Sequence, residues 1–167
     1  EINLPDSAGF SPLFLASEYG WVDIVRLLLS RGAAVELGTI DGTAPLYVAC
    51  QEGHAECARW LIAAGAVVGQ ATAEGRTPLH AACQSQSESC VRQLLEAGAL
   101  INVTDAFGVT PLHLCGANGQ LSGELSAEEV GGSDAAVVGC AELLLAHGAI
   151  WSPYPDRGAH ERRRDGG

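Results

Sequence analysis

Lysine is missing altogether: this 167-residue chain carries nine basic residues, all arginine, against 20 acidic ones. A P-loop needs a lysine after its glycines, and no Gly-rich phosphate loop is present: Gly131-Gly132 sits in an acidic stretch without that lysine or the serine or threonine beside it. A net charge of −11 repels phosphate backbones, which argues against direct nucleic-acid binding. Long apolar runs are missing too. None reaches 18 residues, so no membrane-spanning helix is expected, and no charged-then-apolar start resembles a secretory signal. Aromatics make up only 5% of the chain, so any that face water are worth locating one by one.

What is present is a period. Gly9, Gly42, Gly75 and Gly108 fall 33 residues apart, as do Pro12-Leu13, Pro45-Leu46, Pro78-Leu79 and Pro111-Leu112. Gly32, Gly65 and Gly98 keep the same spacing, and their next member, Gly148, arrives 17 residues late. A fixed period of this size means stacked units that contact only their neighbours and present an extended surface to partners. Residues 72–104 show the unit. A glycine turn at Gly75 is followed by Thr77 as N-cap and Pro78 at the first helical position. Leu79, Ala81, Ala82 and Cys83 give a short helix with a small apolar face. A polar break leads to a second helix with Cys90, Val91, Leu94 and Leu95 at helical spacing, stopped by Gly98.

Thr77-Pro78-Leu79-His80-Ala81-Ala82, repeated as Thr110-Pro111-Leu112-His113 and with the Gly-Ala pairs at 32, 65, 98 and 148, resembles the ankyrin repeat. The resemblance implies an all-α solenoid of stacked helix-turn-helix units joined by hairpin turns, with four repeats at 6–38, 39–71, 72–104 and 105–154. Residues 1–5 align with the end of a preceding hairpin, and 155–167 read as a disordered tail. Both ends look cut, as in a fragment or a short isoform of a longer protein. The departures from the pattern are local. Phe14 cannot make the hydrogen bond that the family's histidine makes to the adjoining turn, and Tyr47 can make it only differently. Ala44 cannot cap, a loss of about 1 kcal/mol. Gln86 stands where Gly20, Gly53 and Gly119 sit, and a positive φ there costs about 1 kcal/mol. Repeats 2 and 3 are therefore expected to be less stable than a consensus array.

The six cysteines read as packing residues. Cys57, Cys90 and Cys140 share one repeat position with Ile24, which marks a buried apolar site, and Cys50, Cys83 and Cys115 lie on first helices. A reducing compartment, cytoplasm or nucleus, follows. Cys50, His54, Cys57 and Cys83 do not make a zinc site, because Gly53-His54 is an ordinary turn pair and four converging ligands are needed. His80 and His113 belong to helix starts, not to a nucleophilic cleft. No metal, no cofactor and no catalytic residue is expected.

Charge and the extra residues bear on partners. Up to residue 155 there are 17 acids against 5 arginines, a net of −12, whereas the last 12 residues carry a net of +1. Such a surface favours a basic partner and speeds the encounter; the plain alternative is solubility. Arg162-Arg163-Arg164 fits a localisation signal or a solvated end. The 17 extra residues fall at 120–136, between the helices of repeat 4. They read as a mobile acidic loop, tolerated at about 1.5 kcal/mol. They form either a docking or modification loop, with Ser122, Ser126 and Ser133, or a neutral insertion.

The resemblance also implies where a protein or peptide would sit: on the hairpin tips and the open side of the first helices. The tips offer Phe10, Ile40, Asp41, Glu74, Arg76, Phe107 and Val109; the first helices offer Glu18, Tyr19, Gln51, Glu52, Gln84 and Asn118. Phe10, Tyr19 and Phe107 are the candidate anchors, gathered on one side; the alternative for the two phenylalanines is packing against neighbouring hairpins. The expected function is a non-enzymatic, monomeric protein-interaction module. Tyr47-Val48-Ala49-Cys50 and His80-Ala81-Ala82-Cys83 look like first helices of ankyrin-and-SOCS-box adaptors, which implies substrate capture for a ubiquitin ligase. The lack of lysine would spare such an adaptor from internal lysine ubiquitination. The alternative is a regulatory ankyrin segment of a larger enzyme or channel. Asn102 occupies the hairpin position that asparaginyl hydroxylation targets in the family, with Leu94 eight residues before it and Leu100 where an acid is usual.

Overall fold

The computed structural model of the protein describes residues 2–7, 9–115 and 135–150, with side chains from 138 onward in the last segment. The described residues form eight helices and no strand. Helix pairs α1 (Pro12–Glu18) and α2 (Val22–Ser30), α3 (Pro45–Gln51) and α4 (Ala55–Ala63), and α5 (Pro78–Gln84) and α6 (Glu88–Glu96) repeat one plan. The pair α7 (Pro111–Leu114) and α8 (Ala135–Ala146) follows it with changed lengths. First helices α1, α3, α5 and α7 stack in one layer, and second helices α2, α4, α6 and α8 in the other.

Each first helix starts on its predicted residue. Ser11 Oγ accepts from Phe14 N at 3.1 Å. Ala44 is extended and offers no side-chain cap, as expected. In α5 the histidine completes the start: Thr77 N donates to His80 Nδ1 at 3.1 Å. Because Nδ1 accepts there, Nε2 carries the proton and donates to the Val109 carbonyl of the next repeat at 3.0 Å. Burial holds the His80 pKa below its ordinary value, so the ring stays neutral. Gln86 has a φ of +56°, the left-handed backbone that its repeat position demands. At the matching Gly20, an added Cβ would lie 2.7 Å from the His54 ring, so a close approach adds to the backbone requirement.

The interior is one continuous core. Leu13, Leu46, Leu79 and Leu112 recur in it with Ala16, Ala49 and Ala82. All six cysteines are free and buried within it. Burial pushes the Cys57 thiol up to about 11 and the Cys140 thiol up to about 12, so both are inert packing groups. Ile24 departs from its repeat mates: it is 44% exposed while Cys57 and Cys90 are fully buried. No helix among the described residues lies on that side of α2 to cover it. α8 begins at Ala135, inside the segment read as the insertion, and is 12 residues long against 9 for the other second helices.

Candidate recognition face

The hairpins between repeats are fixed from below and stitched to one another. Ala73 N donates to the Asp41 carbonyl and Ala106 N to the Glu74 carbonyl, each at 2.8 Å. Asp105 anchors the last hairpin: its Oδ1 accepts from Phe107 N and Val109 N at 2.9 Å. Its other oxygen takes Arg76 Nε at 3.3 Å, and the Asp105 side chain is fully buried. A buried carboxylate with two backbone donors and a guanidinium beside it is a satisfied structural ion. Arg76 is thereby spent on the scaffold. It also lies 3.8 Å from Glu74. Burial raises the Tyr47 pKa, and the Arg76 charge opposes that rise.

Not all expected contact residues face outward. Val109 is buried at 3% exposure, because the hairpin segment that gives its carbonyl to His80 turns its side chain into the stack. Phe10 is half-buried and stacks on Phe14, ring centroids 5.1 Å apart at 16°. It packs on its own repeat's helix. Two aromatic rings there replace the hydrogen bond that Phe14 cannot make. Asn118, most of the 120–136 loop with Ser122, Ser126 and Ser133, and the tail 155–167 with its arginines all lie outside the described residues.

The rest do reach water. Ile40 is 103% exposed at one tip, and Phe107 is 59% exposed at another. Between them lie exposed Asp41 and Glu74. Asp41 bonds both Thr39 and Thr43, and the Thr39 hydroxyl holds its pKa below the ordinary carboxylate value against a small opposing effect of burial. On the first helices Gln51, Glu52 and Gln84 are exposed and Glu18 is half-buried. Gln51 donates to Glu52 at 3.3 Å. Tyr19 is exposed but stacked on Trp21 at 5.1 Å and 24°. Trp21 did not figure among the expected residues. Its signal was there to find, since a tryptophan fills the turn position that His54 and Ser87 hold elsewhere.

The aromatics do not form one patch. Tyr19 caps the far end of α1, away from the hairpins. Phe107 lies three repeats along, about 30 Å at packed-helix spacing. The geometry is a ridge of tips carrying Ile40, Asp41, Glu74 and Phe107, with the Tyr19–Trp21 pair at a separate corner. Asn102 ties repeat 3 to the end of α8: its amide nitrogen donates to the Gly148 carbonyl at 3.2 Å and its oxygen accepts from Ile150 N at 2.9 Å. Among the described residues no group of histidines, cysteines and carboxylates could hold a metal ion, and no helix is long and apolar enough to cross a membrane. The family model described as ankyrin repeats (3 copies) matches residues 1–72 and 64–123. No curated protein matches the chain.

Proposed function

Because the chain belongs to the ankyrin repeat family, a fold of non-catalytic protein-interaction modules, we propose that it acts through binding alone and holds a protein segment along its hairpin tips. One observation carries this reading: Ile40 and Phe107 stand exposed on tips whose backbone is locked from beneath. A rigid tip loses little entropy on binding, and an exposed anchor contributes about 2 kcal/mol when it fills a pocket. Asp41 and Glu74 between the anchors favour a basic segment, since Arg76 is already neutralised by Asp105. The chain acts as a monomer in the cytoplasm or nucleus.

A narrower form makes the array the substrate-capturing part of a ubiquitin-ligase adaptor; the sequences of α3 and α5 support it. Asn102 is in turn a candidate for hydroxylation. Its amide is held at both ends, so the hairpin must open first; a peptide mass without one added oxygen after incubation with a hydroxylase would end that idea. The test of the main reading is affinity capture from cytosol, comparing the wild type with an Ile40→Ala, Phe107→Ala double variant of equal helicity. Loss of one protein from the variant alone supports tip recognition, and equal recovery refutes it.

A further inference from the structure

The joints between repeats are not fastened alike. A side-chain rung recurs at the hairpins: Asn3 Oδ1 accepts from Ala34 N at 2.8 Å, Glu36 Oε1 from Val67 N at 2.8 Å and Asn102 Oδ1 from Ile150 N at 2.9 Å. Gly69 holds the same repeat position, midway between Glu36 and Asn102, and has no side chain to reach Leu100 N. Nothing in the backbone demands glycine there: its φ is not positive, and an added Cβ would meet nothing within 4 Å. The joint between repeats 3 and 4 also carries the His80 bond and the Arg76–Asp105 pair. The joint between repeats 2 and 3 keeps Ala73 N on the Asp41 carbonyl at 2.8 Å and Ser85 Oγ on the Cys50 carbonyl at 2.7 Å.

Two thiols stand on either side of this joint. Cys50 lies in the last turn of α3 and Cys90 in the first turn of α6. The Ser85 bond seats the turn before α6 on the Cys50 carbonyl, and Ser87 Oγ accepts from Cys90 N at 3.5 Å. Each thiol is the strongest influence on the other. Cys90 raises Cys50 well above the ordinary thiol range, and burial adds to the rise. Cys50 lowers Cys90 to about 7 against the effect of burial. Cys57 and Cys140 share the repeat position of Cys90 and are pushed the other way. Cys90 thus carries a substantial thiolate fraction near neutral pH.

We propose that Cys50 and Cys90 form an oxidisable dithiol, reached by small disulfides when the joint between repeats 2 and 3 opens and then closing that joint with a covalent link. The missing rung lowers the cost of opening, because local opening is easiest where few contacts must break. The Cys90 thiolate attacks one sulfur of oxidised glutathione. A mixed disulfide forms and one glutathione thiolate leaves. Cys50 then loses its proton to solvent, and its sulfur attacks the Cys90 sulfur and expels the second glutathione. Two protein thiols are oxidised to one disulfide, and one glutathione disulfide is reduced to two thiols. The joint is interior, so this inference depends neither on the ends of the array nor on tip recognition.

The test incubates the native chain with oxidised glutathione, blocks the remaining thiols by alkylation and maps the peptides by mass. A Cys50–Cys90 link should form about tenfold faster than any link among Cys57, Cys83, Cys115 and Cys140. Cys50→Ser carries the residue that repeat 1 has at that position, Ser17, and should hold one glutathione on Cys90. Gly69→Asn supplies the missing rung and should slow the native link about tenfold at unchanged helicity. No reaction at Cys90, a different pairing, or equal rates at all the thiols would overturn the proposal. So would a Gly69→Asn chain that oxidises as fast as the wild type, because the joint would then not be the way in.

Discussion

Repeats 1 and 3 share a backbone plan and differ in what surrounds them. Repeat 3 has neighbours on both sides; its Leu79, Cys90 and Leu94 are fully buried, and His80 ties it to the next repeat. Repeat 1 leaves Ile24 and Leu27 in water and uses the Phe10–Phe14 stack where repeat 3 has a hydrogen-bonded ring. The difference shows that burial in a solenoid belongs to the interface and not to the repeat alone. One sequence position can be core in one copy and surface in another.

The sharpest way to break that comparison is truncation on each side of it. Leu94→Ala should cost about 3–4 kcal/mol, since nothing collapses into a fully enclosed site. Leu27→Ala should cost less than about 0.5 kcal/mol by the same urea titration. Equal costs would mean that repeat 1 is covered in solution. Next in size is the joint. His80→Ala strands the Thr77 N–H and removes one of the two donors to the Val109 carbonyl, at about 2 kcal/mol.

The same ring gives a pH dependence. Its folded pKa lies below the ordinary 6.5, so the unfolded chain binds the proton more readily. The contribution of His80 is fully present above pH 6.5 and is lost as pH falls from there towards the folded pKa. A His80→Gln variant should flatten the pH–stability curve in that window, and an unchanged slope would assign the dependence to other groups. A smaller effect comes from the inter-helix turn: Gln86→Gly should stabilise by about 0.5–1 kcal/mol by relieving the positive φ. Gly20→Gln should destabilise, because the His54 ring blocks it.

The scaffold was legible in the sequence where short-range chemistry decides. The 33-residue period, the Thr77–Pro78 start, the strained Gln86 and the packing cysteines all follow from local pattern. Contacts between repeats were not legible. The Arg76–Asp105 pair spans 29 residues, and the hairpin turns Val109 inward, so two expected contact residues serve the fold. Ile24 was misread because its register says buried, while its exposure depends on what lies against α2. Tyr19 and Phe107 were found individually, but their separation is a property of the stack. Ile40 needed only its place at a tip.

The most direct test of tip recognition measures stability and partner recovery together for Phe107→Ala and for a mild core variant, Leu94→Val. Phe107→Ala is expected to leave the urea midpoint unchanged and to weaken partner binding by about 2 kcal/mol. Leu94→Val should lower the midpoint and leave the folded protein's affinity intact. A Phe107→Ala protein that binds at full strength, or that loses binding only because it unfolds, would contradict recognition by the hairpin tips.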